Sequence, residues 1–301
     1  MIDRSTTLGP LALRSPLVAA SGTIGSVVEF SEVADLSLYG AATAKSVSPV
    51  PWEGRPAPRL APTEAGMLNA IGIQNSGVSA WIETIGPALR SLPVPVWGSA
   101  VGYTVDEYVT VAKGLATCAI EAVEVNLSCP NLEGKGMFAL DPAATGRVMS
   151  AVRQAIDLPI GAKLSPNAVD LVPIAGAAIE AGADFLTLTN TVWGAAIDIE
   201  QRRPKLSAGI GGYSGVAIKP IALRCVLEVR EAFPDVPIVG LGGVRTGEDV
   251  VEYLMAGASA VGIGTAHFER PGVAKRIMRE FERWCARHGV ESVAELVGAG
   301  R

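Results

Sequence analysis

The residue types that could do chemistry fall in a few short stretches. In "VEVNLSCPNLEG" (123–134) an alternating apolar run meets Asn126, Cys129 and Asn131 around Pro130. A thiol flanked by amides can serve as an acid or base, since an unperturbed thiol titrates near about 8.5 and each amide both donates and accepts hydrogen bonds. A lone cysteine is also commonly a packed small hydrophobe, so the stretch alone leaves both roles open. "PIGAKLSPN" (159–167) carries Lys163 near the end of a buried-looking run. Such a lysine can form a Schiff base, clamp an anionic substrate, or stand as a fixed charge beside a cofactor. "GLGGVRTGED" (240–249) and "GIGTA" (262–266) set Gly242, Gly243, Gly264 and Thr265 where backbone N–H groups can approach a phosphate. "GGYSG" (211–215) offers Gly215 as a further wall.

Composition removes several rival chemistries. Only two histidines occur, His267 and His288, and the four cysteines (118, 129, 225 and 285) form no CxxC pair. A zinc site or a Ser-His triad is therefore not expected, and the thiols fit a reduced cytosolic setting. A formal charge of −5 gives no basic footprint for nucleic acid. No apolar run approaches the roughly 18 residues of a membrane-spanning helix. The start, "MIDRSTTLGP", lacks the layout of a signal peptide.

Elements must bring these residues together. Eight short apolar runs read as strands: 16–21, 41–46, 94–99, 122–127, 159–164, 185–190, 237–242 and 260–265. Amphipathic stretches between them read as helices, such as 169–181 before Gly182 and 247–256 before Gly257. Eight strand–helix units in one domain spanning 1–301 predict an α/β fold, a (β/α)8 TIM barrel. The first fifteen residues read as a small hairpin capping its floor, and the Pro-rich 48–66 as a long loop over its mouth. Ser21, Lys45, Ser46, Ser99, Asn126, Lys163, Asn190, Thr191, Gly242, Gly243, Gly264 and Thr265 then all fall at strand C-terminal ends, the face where barrel enzymes carry their chemistry.

Taken together, the motifs resemble the class 1 dihydroorotate dehydrogenases, flavin enzymes of pyrimidine biosynthesis. The resemblance runs nearly end to end, through "ASGTIG" (20–25), "AKS" (44–46), "GMLNAIGIQN" (66–75), "NLSCPN" (126–131), "KLSPN" (163–167), "NTVWGAAID" (190–198), "GGYSGVAIKPIALR" (211–224) and "AGASAVGIGTA" (256–266). The "SGVAIKPIALR" run and "GMFALDP" (136–142) look more like subclass 1B than 1A. The resemblance implies FMN, with Gly215, Gly242, Gly243, Gly264 and Thr265 about its phosphate. Ser21, Lys45, Ser46, Ser99, Asn126, Lys163 and Thr189 would line the rest of the flavin. The implied substrate pocket is Lys45, Asn69, Ile71, Gly72, Ile73, Asn126, Asn131, Asn190 and Thr191.

Cys129 is implied as the base that removes the C5 proton of dihydroorotate while hydride leaves C6 for flavin N5; class 2 enzymes carry a serine there. Lys163 would stabilise charge developing on the reduced ring. A homodimer is implied, and for subclass 1B a second subunit carrying FAD and a [2Fe–2S] cluster that passes electrons to NAD+. Ser99 departs from the Asn usual at that position, and Trp193 and Tyr213 are bulkier than the pattern leads one to expect. Two other readings stand beside this one: a flavin enzyme acting on a related dihydropyrimidine, and a phosphate-binding barrel aldolase using Lys163.

Overall fold

The computed structural model describes residues 2–127 and 137–301, so Cys129 and Asn131 lie outside the described residues. A hairpin of β1 (Thr6–Leu8) and β2 (Leu11–Leu13) opens the chain. The barrel begins with β3 (Leu17–Ala19) and β4 (Ala41–Thr43), after which β5 (Leu60–Thr63) and β6 (Gly66–Asn69) form an antiparallel excursion. Next come β7 (Val96–Ala100), β8 (Ala122–Asn126), β9 (Ile160–Lys163) and β10 (Phe185–Leu188). A second excursion holds β11 (Val192–Ala195), β12 (Ile197–Asp198), β13 (Arg203–Pro204) and β14 (Ile210–Ser214). The last strands are β15 (Ile238–Leu241) and β16 (Ala260–Ile263). Strands β3, β4, β7, β8, β9, β10, β15 and β16 close into a parallel barrel.

Helices α1 (Val78–Thr84), α2 (Val105–Leu115), α3 (Pro142–Ala155), α4 (Val172–Glu180), α5 (Lys219–Ala232) and α6 (Gly247–Met255) surround it, followed by α7 (Ala266–Glu269) and α8 (Val273–His288). Helix α4 starts three residues later than the apolar spacing predicts, because Pro173 lacks an N–H and is tolerated only in a first turn. Between β3 and β4 no α-helix forms: two 3-10 turns, Glu29–Glu32 and Leu36–Leu38, take its place. Positive φ at Gly25 and Val27, and the Asp35 carboxylate accepting from Ser37 N–H, break that connection into short turns. The eight expected strand–helix units are thus seven α-helical units and one without.

Alternation sorts each strand's residues between two cores. Leu17, Val123, Ile160, Leu186, Ile238 and Val261 face outward to the helices. Their neighbours Val18, Ala122, Phe185, Val239 and Ala260 face inward with Trp97, and pack against Leu8, Leu11 and Leu13 of the hairpin. The hairpin does cap the floor as predicted. Burying such large apolar side chains is worth roughly 1.5–3 kcal/mol each. Gly161 is required there: a Cβ on it would lie 2.2 Å from the Phe185 ring, which packs at a 43° tilt on Trp97 with ring centroids 4.9 Å apart.

The segment 48–66 runs as a loop through Arg59, tied down by the Trp52–Asn75 bridge, as its prolines suggest. It runs into the β5–β6 hairpin, which joins a four-stranded sheet in the order β11-β14-β6-β5 beside the mouth. Trp193 and Tyr213 belong to this sheet. Among the described residues, no helix is long and apolar enough to cross a membrane.

Candidate active site

The C-terminal ends of the barrel strands enclose a cavity of about 370 Å³, within the range of small-molecule sites. One end is made of backbone. Gly215, Gly242, Gly243, Gly264 and Thr265 line it, from the turns after β14, β15 and β16. Gly243 sits at φ +72°, and a Cβ there would come within 2.8 Å of the Lys219 side chain and 3.0 Å of Gly215 O. The Tyr253 hydroxyl donates to Gly242 O at 2.7 Å and holds the turn from behind. Lys219 itself is engaged away from the cavity lining, donating to Asp249 at 2.7 Å and Glu252 at 2.6 Å.

The other end is made of side chains. Lys45, Ser46, Asn69, Asn126, Lys163, Thr189, Asn190 and Thr191 line it together with Ile71 and Ile73. Asn126 donates through Nδ2 to Ser46 Oγ at 3.1 Å, and Asn190 Nδ2 lies 3.4 Å from Asn126 Oδ1. The Tyr108 hydroxyl donates to the Asn126 carbonyl at 2.9 Å, fixing the end of β8. Lys163, 5% exposed, reaches from the end of β9 with Nζ 3.4 Å from Glu124 Oε1 on β8. Thr187 on β10 donates to the other carboxylate oxygen at 2.9 Å. Thr189 Oγ1 is buried against the cavity without a hydrogen-bond partner.

Two supports lie just behind the lining. Asn75 is the first: its Nδ2 donates to Ile73 O at 2.8 Å, and its Oδ1 accepts from the N–H groups of Ser48 at 3.1 Å and Gly77 at 2.8 Å. It thereby holds Ile73 at φ +50°, a left-handed conformation that a β-branched residue adopts only when its surroundings enforce it. Gly72, at φ +71°, does not line the cavity; a Cβ on it would lie 2.8 Å from Arg55 N, so it serves the turn that presents Ile71 and Ile73.

The second support is His267 on α7. The Tyr39 hydroxyl lies 2.8 Å from its Nε2 and the Thr23 hydroxyl 2.9 Å from its Nδ1. Thr23 already donates to Ala20 O at 2.8 Å, so it must accept from Nδ1–H, leaving Nε2 to accept from Tyr39. Burial pushes the imidazole down to about 4, in keeping with this neutral tautomer. The network ties the Gly22–Thr23 turn after β3 to the Gly264–Thr265 turn after β16, and both turns line the cavity.

Of the residues singled out from sequence, Ser21, Lys45, Ser46, Asn69, Ile71, Ile73, Asn126, Lys163, Thr189, Asn190, Thr191, Gly215, Gly242, Gly243, Gly264 and Thr265 come together around this one cavity. Cys129 and Asn131 lie outside the described residues. Ser99 does not reach the cavity. Its hydroxyl, 1% exposed as a residue, lies 2.8 Å from that of Ser46 and backs it instead. Glu124, Asn75, His267 and the rim residues Leu60, Met67 and Phe268 escaped the sequence reading. Cys225 and Cys285 are fully buried, their thiols pushed up to about 11 chiefly by that burial, and behave as core residues.

Comparison with known proteins fits this geometry. A sequence profile for dihydroorotate dehydrogenase matches residues 4–284. The chain belongs to the dihydroorotate dehydrogenase family. It is 46% identical over 299 residues to the dihydroorotate dehydrogenase B (NAD(+)) catalytic subunit of Geobacter sulfurreducens, covering 99% of this chain and 98% of the relative. It is 41% identical over 299 residues to the protein of the same name from Alkaliphilus metalliredigens, covering 99% of each. The crystal structure of the dihydroorotate dehydrogenase of Eimeria tenella in complex with ferulenol superposes with a TM-score of 0.85 at 20% identity. It covers 99% of this chain and 88% of that one, and establishes likeness of fold.

The residues present suit a flavin mononucleotide. None of the described residues lining the cavity is acidic, its glycine end exposes backbone to a phosphate, and Thr189 Oγ1 is an unpartnered polar atom on the wall.

Proposed function

We propose that this chain is the catalytic subunit of a subclass 1B dihydroorotate dehydrogenase, oxidising dihydroorotate to orotate with FMN in pyrimidine (UMP) biosynthesis. One observation carries the reading: a single cavity joins a glycine-built end suited to a phosphate with an end where two lysines and three asparagines face a ring-sized space. Gly215, Gly242, Gly243, Gly264 and Thr265 would hold the FMN phosphate, with the start of the helical segment that follows Gly215 favouring the negative charge. Ser21, Lys45, Ser46, Asn126, Lys163 and Thr189 would line the ring system. Bound FMN would supply the acceptor for the hydride leaving C6 of the substrate.

The chain's own groups do the rest. Asn69, Asn126, Asn131 and Asn190 offer paired donors and acceptors to the amides and carboxylate of dihydroorotate, with Lys45 balancing its charge. Ile71, Ile73 and Thr191 would complete the substrate pocket. Cys129 would take the C5 proton, a step in which a positioned base contributes on the order of 10²–10⁴ in rate. The aldolase reading gains no support, because Lys163 is ion-paired with Glu124 whereas a Schiff-base lysine works as a free amine.

Electrons would leave through a partner subunit carrying FAD and a [2Fe–2S] cluster, within a heterotetramer built on a dimer of this chain in the cytoplasm. Self-association would cover Trp193, Ile197, Ile199 and Ile210, all exposed beside the mouth. The test is the purified chain: a yellow protein releasing FMN, bleached by dihydroorotate and not by dihydrouracil, and reducing NAD+ only once the partner is added. A colourless chain that gains no flavin on incubation with FMN would refute the reading. Bleaching by dihydrouracil in preference would move it to another dihydropyrimidine.

A further inference from the structure

Glu124 is the sole carboxylate that contacts a cavity-lining lysine among the described ion pairs, and neither the reading of the site nor the family resemblance gives it a role. Its position follows from strand alternation. On β8, Ala122, Glu124 and Asn126 point into the barrel while Val123 and Val125 point to the helices. Register places Asn126 beside Lys163 and Lys163 beside Thr187. Glu124 is 2% exposed, directly above the apolar floor. An isolated carboxylate there would be costly, and it persists because Thr187 donates to Oε2 and the Lys163 ammonium sits 3.4 Å from Oε1. Oε1 is close enough to Nζ for an ion pair but not aligned for a hydrogen bond. The carboxylate is therefore anchored by Thr187, and the ammonium remains able to turn its donors toward the cavity.

The charged side chains among the described lining residues are Lys45 and Lys163, and Glu124 offsets the charge of the second from beneath the lining. We infer that Glu124 is a positioning residue: it fixes the Lys163 ammonium at the floor of the cavity and offsets part of its charge toward the flavin ring. Lys163 is thus a balanced cation, and the preference of the site for reduced over oxidised FMN is set by the pair.

This inference rests on the FMN reading above, and its test separates the two. Glu124→Gln keeps the volume and an acceptor for Thr187 while removing the negative charge. The quantity to measure is the ratio of dissociation constants for oxidised and reduced FMN, obtained from the two-electron reduction potential of bound and free FMN at pH 7. Removing the offset charge leaves the ammonium to pair with the anionic reduced ring, so the variant favours reduced FMN by about tenfold more than the unaltered protein, a positive shift in potential. Glu124→Asp keeps the charge but withdraws it from Lys163, and gives a smaller shift in the same direction; it serves as the test if the Gln variant fails to fold. An unchanged or negative shift in the variant that folds would overturn the inference, and so would a loss of melting temperature with the ratio unmoved. If both variants fail to fold while Thr187→Val folds with an unmoved ratio, the carboxylate is a structural brace and the inference falls. Failure of the unaltered chain to bind FMN at all would instead refute the functional reading.

Discussion

The two ends of the cavity are built by different means. At the glycine end the groups facing the ligand are mostly main chain, held by close backbone approach and by buried braces such as Tyr253 and His267. At the lysine end they are side chains, each fixed by a neighbour from another strand: Asn126 by Ser46, Lys163 by Glu124, Ile73 by Asn75. A phosphate is the same in every reaction, so a rigid backbone cradle suffices. A substrate ring that loses a proton and a hydride needs charge and hydrogen-bond partners at particular atoms. The first end should therefore fail by losing its ligand, and the second by losing chemistry while keeping it.

The largest expected effect breaks the glycine end. Gly243→Asp puts a side chain where a Cβ already meets Lys219 and Gly215, in a φ that favours glycine, and sets a carboxylate against the phosphate. FMN retention should be abolished, read by flavin absorbance after gel filtration, while circular dichroism stays that of the unaltered barrel. At the other end, Cys129→Ala should retain FMN yet slow flavin reduction by dihydroorotate by about 10²–10⁴. Full FMN loss in that variant, or an unchanged reduction rate, would blur the division between the two ends.

Smaller effects probe the supports. Asn75→Ala strands the Ser48 and Gly77 N–H groups and the Ile73 carbonyl, and frees Ile73 from its left-handed conformation. It should cost about 3 kcal/mol of stability in urea unfolding and raise the KM for dihydroorotate more than it lowers FMN affinity. His267 gives the mildest prediction. Its folded value is depressed to about 4 from 6.5, so below about 6.5 the unfolded chain takes a proton that the folded chain refuses, and stability falls as pH drops until the folded imidazole also titrates. At pH 5 this removes about 2 kcal/mol relative to pH 7. His267→Asn should flatten that acid limb in melting temperature measured from pH 7 to pH 4.5, whatever its effect at neutral pH.

How much could be read from sequence follows the same line. Seven of the eight barrel strands fall wholly within the apolar runs predicted for them and β7 runs one residue past its own, to Ala100; buried parallel strands are locally apolar and end on polar residues. The glycine turns were readable for a similar reason, since "GLGG" and "GIGTA" report backbone need directly. The β5–β6 hairpin was hidden by prolines in 48–66, whose pairing partner β14 lies far along the chain. Glu124 is the polar member of an alternating run, and only closure of the barrel turns its face inward. Asn75 and His267 act through partners outside their own motifs; His267 meets Tyr39 across 228 residues of sequence, beyond any local pattern. The resemblance implied Ser99 beside the flavin in place of the usual Asn, but its shorter hydroxyl meets that of Ser46.

In the function proposed above, one cavity holds FMN at its glycine end and dihydroorotate against Cys129 and Lys163 at the other. Anaerobic stopped-flow mixing of the FMN-loaded chain with dihydroorotate tests it most directly. The expected result is a single-turnover bleaching of the flavin band with one orotate formed per FMN, fast in the unaltered chain and slowed in Cys129→Ala. A flavin band that dihydroorotate leaves unbleached in the unaltered, FMN-loaded chain would contradict it.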